Sequence, residues 1–274
     1  INSISPDQIH LLDEVEMPLS TVLANMEFCG VRVQRDTLVT IAEELSAGIN
    51  HSEENIFGLA GQSFNINSPK QLGKVLFEDL GLRVIKKTKT GYATGAEVLE
   101  ELCDDHPIIT YILTYRQLTK LKSTYADALQ DLIHPDTGRV HTIFKQAQTA
   151  TGRLSSVEPN LQNIPVKMEE GRRIRKAFTA PADDWYLLSA DYSQIDLRAL
   201  AHISGDNTLI ETFHQGIDIH ARTASEIFHV SLEEVNEDLR RRAKAVNFGI
   251  IYGISDFGLS RDTGVSRKEA RQYI

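Results

Sequence analysis

Cysteine is scarce in this chain. Among 274 residues there are two, Cys29 and Cys103, far apart and in no spacing typical of metal ligands. This scarcity argues against a disulfide-stapled secreted fold and against a cysteine-ligated metal site. We expect both to be reduced, buried thiols in a reducing compartment.

Long apolar runs are also missing. No stretch approaches the length of a transmembrane helix, and the first residues lack the pattern of a signal peptide. We therefore expect no membrane partner and a cytoplasmic location. A composition of 41% hydrophobic and 24% charged residues is typical of globular proteins, and the length suits about two domains.

Basic residues are fewer than acidic ones, and the net charge of −9 argues weakly against a nucleic-acid partner. The distribution of the basic residues, however, favours such a partner. Residues 1–60 hold ten acids and two arginines, whereas residues 139–176 hold eight Lys or Arg and three glutamates. Segregated charge permits a basic face that binds a polyanion. The alternative is ordinary solvated charge.

The spacing of apolar residues and of turn formers predicts an α+β fold. Predicted helices run from Asp36 to near Gly61, from a capping box at 68–71 to Gly81, from 94–97 onward, and from Pro107 to about Ile133. A turn at 135–138 precedes predicted strands at 139–145, 172–178 and 185–190. Helical spacing resumes at Ile195, and capping boxes at 231–234 and 266–269 predict later helices.

Residues 240–253 read RRRAKAVNFGIIYG. Four cations crowd the start of an apolar helix, where the helix dipole disfavours them, so we interpret them as ligands of an anion. Arg240, Lys244, Phe248 and Tyr252 lie four apart, which offsets successive side chains by about 40° on a helix. This stripe of two cations and two rings suits a nucleoside triphosphate. The alternative is a surface helix with its aromatics in the core.

The segment SADYSQIDLR, residues 189–198, places Asp191 where the predicted strand gives way to a helix. A carboxylate there can hold magnesium, which takes one or two protein carboxylates together with phosphate oxygens. We expect Asp196, five residues later, to face the same pocket. The alternative for Asp191 is a helix N-cap.

The stretch TATGRLSSVEPNLQNIPV, residues 149–166, is rich in short polar side chains. Asn160, Gln162 and Asn163 are predicted to donate to minor-groove acceptors, which all base pairs present in similar positions. The alternative is a loop of turn-forming residues.

Together these segments resemble the DNA polymerase I family, family A, from about Glu16 to Ile274. DYSQIDLR resembles its motif A, and RRRAKAVNFGIIYG resembles motif B on the fingers helix. Residues 149–166, with EEGRRIRKAF after them, resemble the palm stretch that holds the primer terminus. KLKSTY, residues 120–125, resembles the end of the thumb.

The resemblance implies template-directed DNA synthesis from deoxynucleoside triphosphates with two Mg²⁺ ions. The primer 3′ oxygen would attack the α-phosphorus, one ion activating the nucleophile and the other steadying the leaving group. Asp191, Lys244 and Arg240 would be catalytic, with Asp191 and the Tyr192 carbonyl as metal ligands. Arg240 would meet the terminal phosphate and Lys244 the α-phosphate end.

The resemblance also assigns contacts. Nucleotide contacts are implied for Gln194, Asp196, His220, Arg240, Lys244, Phe248 and Tyr252. Contacts to primer–template DNA are implied for Lys120, Lys122, Ser123, Thr124, Arg153, Asn160, Gln162 and Asn163. Phe248 would stack on the incoming nucleotide, Tyr252 would shape the template side, and Arg153 would touch the primer-terminal pair. Asp196 departs from the family, which usually has a glutamate there as a barrier to ribonucleotides.

The implied architecture is that of a right hand with a helical thumb, a partial antiparallel palm sheet and the start of helical fingers. Residues 1–133 would form the thumb with an N-terminal palm-base helix, 134–213 the first half of the palm, and 214–274 the start of the fingers. A later His-Asp-Glu palm motif has no equivalent in residues 1–274. We therefore expect a monomeric fragment, truncated before the second half of the palm and inactive alone.

Two other functions stay open at this point. One is a non-catalytic module that binds DNA or nucleotides. The other is a single-subunit phage-type RNA polymerase, against which Phe248 and Asp196 argue. The implied location is the bacterial cytoplasm or a phage-infected cell.

Overall fold

A computed structural model describes residues 5–89, 91–166, 168–251 and 253–274, without the side chains of residues 261 and 262. The chain divides into two compact units, Ile1–Leu187 and Leu188–Ile274. Within the described residues, no helix is both long enough and apolar enough to cross a lipid bilayer.

The first unit is mainly helical. Its helices are α1 (Pro6–Leu11), α2 (Met17–Cys29), α3 (Arg35–Ala60), α4 (Pro69–Lys74), α5 (Ala96–Glu100), α6 (Ile108–Leu121), α7 (Ala128–Leu132) and α8 (Glu169–Lys176). Turns of π-helix at Leu12–Glu16, Val75–Asp79 and Lys122–Asp127 continue α1, α4 and α6.

Short antiparallel strands complete this unit. They are β1 (Val31–Val33), β2 (Lys87–Thr88), β3 (Gly91–Tyr92), β4 (Arg139–Val140), β5 (Ile143–Lys145), β6 (Ser155–Val157) and β7 (Phe178–Thr179). β1 lies between β4 and β7, with Val31 opposite Val140 and Arg32 opposite Thr179. β2 pairs with β3, and β5 pairs with β6.

Helix α3 organises the two hydrophobic cores of the first unit. Its residues Leu38, Ile41 and Leu45 are buried with β1, β4 and α7, while Ile56 is buried with residues of α4, α5 and the first turns of α6. The helix ends where Gly61 adopts a left-handed conformation with φ of 68°, which glycine accepts at little cost. The predicted helix from Asp36 to Gly61 is confirmed.

The second unit contains only helices among its described residues. They are α9 (Ile195–Ser204), α10 (Asn207–His214), α11 (Ile219–Phe228), α12 (Glu237–Ile251), α13 (Asp256–Thr263) and α14 (Arg267–Tyr273). A 3-10 turn, Leu232–Glu234, precedes α12. Val246, Leu259 and Ala270 form the small core that joins α12, α13 and α14.

The predicted strand at 172–178 is wrong over most of its length. Residues up to Lys176 belong to α8, and only Phe178 begins a strand. Gly171, Ile174 and Ala177 recur at every third position and are buried, so one helix face is apolar. Arg172 also pairs with Glu169 one helical turn away, at 2.6 Å.

The predicted strand at 185–190 is also wrong. This segment pairs with no strand among the described residues, and Trp185 and Leu188 are 62% and 92% exposed. Its apolar sequence suits a buried strand, but burial requires a neighbour that the described residues do not supply.

Both cysteines are free, as expected, but they are exposed rather than buried. Cys29 ends α2, and Cys103 lies in the turn that follows α5. Each therefore faces solvent from the end of a helix.

The capping box at 231–234 is present and caps the 3-10 turn, after which the cationic helix begins. Helix α12 begins at Glu237, and the Asn236 Oδ1 accepts from the Leu239 amide at 2.9 Å. Glu237 and Asp238 occupy its first turn, so acids stand where the helix dipole favours them. The cations begin nearly one turn later than the sequence indicated.

Candidate functional site

Arg240 forms the centre of a polar cluster in the second unit. Its Nη2 donates to Oδ2 of Asp218 at 2.8 Å. Asp218 is the N-cap of α11, and its Oδ1 accepts from the Ala221 amide at 2.8 Å. Gln194 adds a third donor, from Nε2 to the same Oδ2 at 3.3 Å. One carboxylate thus joins α11, α12 and the residue that starts α9.

The charges in this cluster stabilise each other. Burial acts to raise the pKa of Asp218, but the hydrogen bond and charge of Arg240 and the bond from the Ala221 amide outweigh it. The pKa of Asp218 therefore lies below its ordinary value. The hydrogen bond to Asp218 raises the pKa of Arg240. Both groups are ionised at neutral pH.

His220 is buried beside this pair, with 2% of its surface exposed. The Asn247 Oδ1 accepts from the Thr223 hydroxyl at 3.1 Å, which turns Asn247 Nδ2 toward His220 Nδ1 at 3.0 Å. The Nδ1 atom therefore accepts, and the neutral ring carries its proton on Nε2. Burial lowers the pKa of His220, Asp218 opposes this shift, and Arg240 and Lys244 reinforce it.

Lys244 and Phe248 extend the cluster along α12. The Lys244 Nζ lies 5.9 Å from the centre of the Phe248 ring, and that ring lies 5.7 Å from the His220 ring. Ala243 and Val246 are buried on α12. Three members of the predicted stripe thus meet in one cluster, whereas Tyr252 lies outside the described residues.

Not every cation at the start of RRRAKAVNFGIIYG belongs to this cluster. Arg242 donates from Nε to the Thr263 carbonyl at 2.7 Å and lies over the Phe228 ring at 4.7 Å. Arg241 pairs with Asp238 on the exposed side of the helix. The interpretation of all four cations as ligands of an anion therefore needs correction, because Arg242 ties α12 to its neighbours.

The segment that carries Asp191 is different. Asp191 and Tyr192 lie outside any helix or strand and are exposed, Tyr192 by 80%. The N-cap of α9 is Gln194, in the left-handed region with φ of 55°, so Asp191 is not a cap. Asp196 is exposed in the first turn of α9.

Magnesium prefers hard oxygen donors, which the Asp191 carboxylate and the Tyr192 carbonyl can supply. Their exposure leaves both accessible to an ion. Within the described residues, however, no group of three or more His, Cys, Asp or Glu side chains converges on a metal-sized space. Asp191 and Tyr192 therefore suit part of a magnesium site.

In the first unit, the loop after β6 is held by its own polar side chains. Gln162 Oε1 accepts from the Ser156 amide at 3.2 Å, and its Nε2 donates to the Leu154 carbonyl at 3.3 Å. Asn160 Oδ1 accepts from the Gln162 amide at 3.0 Å, and the Asn163 carbonyl accepts from the Tyr125 hydroxyl. Gln162 therefore shapes the loop, while the exposed side chains of Asn160 and Asn163 face solvent.

The end of α6 carries the other residues predicted to contact DNA. Lys120, Ser123 and Thr124 are exposed, and the Ser123 hydroxyl donates to the Lys120 carbonyl at 3.4 Å. Lys122 forms an ion pair with Asp127 at 2.7 Å, so part of its charge is already balanced.

The predicted basic surface is only partly available. Arg139 donates to backbone carbonyls of Cys29 and Gly30, and Arg172 and Arg173 pair with glutamates. Lys167 lies outside the described residues. Of the described cations of this stretch, Arg172 is exposed although it is paired, and Lys145, Arg153, Arg175 and Lys176 are exposed as well.

Sequence reasoning missed Asp218 and the pair formed by Asn247 and Thr223. Asp218 precedes His220 by two residues and has an N-cap residue type, which was an available signal. Nothing in the spacing of Thr223 and Asn247 indicates that they meet, because their contact depends on how α11 packs against α12.

The profile described as DNA polymerase family A matches residues 35–274. The chain is 58% identical to DNA polymerase I of Geobacillus stearothermophilus over 268 residues, which cover 98% of this chain and 31% of that protein. For DNA polymerase I of Bacillus subtilis (strain 168), the identity is 57% over 98% of this chain and 30% of that protein. The chain thus spans about a third of the length of these curated relatives.

A solved structure gives the same picture. It is the POL domain of Pol1 from M. smegmatis in complex with DNA primer-template and dNTP. It matches 97% of this chain and 47% of its own, with 42% identity and a TM-score of 0.89.

Proposed function

This chain belongs to DNA polymerase family A, and we propose that it forms the triphosphate-binding part of a DNA-directed DNA polymerase. The substrates would be deoxynucleoside triphosphates and primer–template DNA. The observation that carries the proposal is the cluster of Arg240, Lys244, His220 and Phe248 on α11 and α12. The resemblance to a polymerase domain in complex with DNA primer-template and dNTP supports it.

The cluster has the donors that a triphosphate requires. Asp218 engages Nη2 of Arg240, so the N–H groups on Nη1 and Nε are available to phosphate oxygens. Lys244 supplies a second full charge, and the neutral His220, which is buried, packs beside the Phe248 ring. Phe248 offers an apolar surface beside these groups for the sugar or base. Lys244 would act where charge develops as pyrophosphate leaves.

Magnesium would be held by the Asp191 carboxylate and the Tyr192 carbonyl, together with ligands from elsewhere. When bound, it would stabilise charge on the reacting phosphate. Because the described residues supply only part of a magnesium site, we propose that the 274-residue chain alone does not turn over.

The parts of the chain receive roles by the same proposal. Residues 1–133 would act as the thumb with a palm-base helix, 134–213 as the first half of the palm and 214–274 as the start of the fingers. Primer–template would be contacted by the exposed residues Lys120, Ser123, Thr124, Arg153 and Asn160. The chain would act as a monomer.

The test compares two variants that replace a charged side chain by a neutral polar one, Lys244→Gln and Arg153→Gln. Equilibrium binding of dATP and of primer–template DNA is measured separately for the 274-residue chain. Lys244→Gln should weaken dATP about tenfold, as expected for loss of a charged hydrogen bond, and leave DNA affinity within about twofold.

Arg153→Gln should show the opposite pattern, with weaker DNA binding and unchanged dATP affinity. If Lys244→Gln weakened only the binding of DNA, the assignment of α12 to the triphosphate would be wrong.

A further inference from the structure

We propose that Asp218 is a positioning residue that holds Arg240 and Gln194 in place for a triphosphate. This inference rests on the function proposed above and deepens it. Asp218 itself touches no phosphate in this proposal. It acts through the two side chains that donate to its Oδ2.

The first observation is the sharing of one carboxylate by three elements. Oδ1 is engaged by the Ala221 amide at 2.8 Å, which fixes the carboxylate to the start of α11. Oδ2 receives Arg240 at 2.8 Å and Gln194 at 3.3 Å. Because the N-cap bond fixes Oδ1, the place of Oδ2 is set by the backbone, and both long side chains are anchored to a rigid point.

The second observation concerns Gln194. Its backbone lies in the left-handed region, with φ of 55° and ψ of 39°, which is uncommon for a residue with a side chain. Such a conformation persists where surrounding contacts hold it. The bond from Gln194 to Asp218 is one such contact, so Asp218 also orients the start of α9.

The third observation separates positioning from blocking. A carboxylate that competed with phosphate would occupy the guanidinium fork, whereas Asp218 engages the single nitrogen Nη2. The phosphate and Asp218 can therefore bind the same guanidinium together. Positioning predicts that loss of Asp218 weakens anion binding, and competition predicts that it strengthens binding.

The informative variant is Asp218→Asn. Asparagine is as good an N-cap as aspartate, so its oxygen should stay on the Ala221 amide. Its Nδ2 then faces Nη2 of Arg240, which has no acceptor, so this bond is lost, whereas Gln194 can rotate its amide so that Oε1 accepts from Nδ2. The variant keeps the cap and the volume but releases Arg240.

Asp206→Asn is the matched control. Asp206 is the exposed N-cap of α10, and its Oδ1 accepts from the Leu209 amide at 2.8 Å. It has the same capping role in the same compact unit, and the proposal assigns it no part in triphosphate binding. It therefore controls for the loss of a charged N-cap alone.

The first experiment titrates the 274-residue chain with inorganic tripolyphosphate, without divalent cations. Asp218→Asn should weaken binding about threefold to tenfold, which lies within the range of coupling between residues of one network, and Asp206→Asn should leave it unchanged. In an Arg240→Gln background, Asp218→Asn should have a much smaller effect. Unchanged or tighter binding in Asp218→Asn, or an equal loss in both backgrounds, would overturn the proposal.

The second experiment needs no ligand. Side-chain NMR of the Arg240 Nε–H group in the free chain should show restricted motion in wild type and in Asp206→Asn, and faster motion in Asp218→Asn. Equal motion in wild type and Asp218→Asn would overturn the positioning role. If wild type failed to bind tripolyphosphate, the proposed function would be contradicted, while this measurement would still decide the role of Asp218.

Discussion

Arg240 and Asp191 lie in the same compact unit, but their surroundings hold them very differently. Arg240 is tied to Asp218, which is itself fixed by the α11 backbone. Asp191 lies in an exposed segment that pairs with no strand among the described residues. Two packed helices thus hold the residues of the proposed triphosphate site, whereas the proposed magnesium site needs converging carboxylates that the described residues do not supply.

The prediction with the largest effect concerns Asp191 and the proposed magnesium site. A primer-extension assay on the 274-residue chain with Mg²⁺ should give no templated product. The reason is that Asp191 alone does not hold two metal ions at the separation of roughly 4 Å that such reactions use. Templated extension would show that further metal ligands lie within residues 1–274 and that the magnesium site is as complete as the triphosphate site.

A second prediction concerns Asp196 and the sugar of the bound nucleotide. Glutamate in place of Asp196 extends the side chain by one methylene, and pocket differences of that size change discrimination by about 1–3 kcal/mol. We expect Asp196→Glu to increase the preference for dATP over ATP in binding to the chain with primer–template DNA. The matched control is Asp206→Glu, since Asp206 caps a different helix. Equal preference in wild type and Asp196→Glu would mean that the methylene has no effect.

The prediction with the smallest effect concerns His220 and the pH dependence of folding stability. Because burial lowers its pKa in the folded chain, the unfolded chain takes up the proton first as pH falls through about 6.5. The contribution of neutral His220 to the free energy of unfolding is therefore fully present above that pH. Below that pH it is lost, by at most about 1.4 kcal/mol per pH unit. His220→Gln should reduce this slope.

The measurement for this prediction is urea unfolding at pH 7.5 and pH 5.5, followed by NMR peak intensities of α11 and α12. His202→Gln, at an exposed position of α9, is the control and should keep the wild-type slope. A His220→Gln slope equal to that of wild type would show that His220 does not titrate as its buried position requires.

Much of the fold follows from the sequence, and the exceptions have physical causes. The spacing of Leu38, Ile41 and Leu45 predicted α3 correctly because burial of one face decides a helix of this length. Residues 172–178 were predicted as a strand, yet Ile174 is buried as part of a helix. Local spacing alone does not separate the two when an element is short.

The candidate site divides in the same way. The positions of Arg240, Lys244 and Phe248 in one cluster were predicted from their spacing of four, because all three lie on one helix. The contacts of Asp218 were not predicted, because its partners Gln194 and Arg240 lie 24 and 22 residues away in the sequence. Gln162, which was predicted to contact DNA, is exposed and is also engaged by the Ser156 amide and the Leu154 carbonyl, and these two bonds depend on the fold of its loop.

We propose that the triphosphate half of the site is formed without the carboxylate half. The most direct test is a titration of the 274-residue chain with tripolyphosphate, without divalent cations, for wild type, Asp191→Asn and the double variant Arg240→Gln/Lys244→Gln. We predict that Asp191→Asn binds like wild type, with NMR shifts confined to α11 and α12. The double variant should lose about a hundredfold or more in affinity, since two charged hydrogen-bonding groups are removed. Loss of binding in Asp191→Asn would show that the triphosphate half depends on Asp191, and binding retained in the double variant would show that Arg240 and Lys244 do not bind the triphosphate.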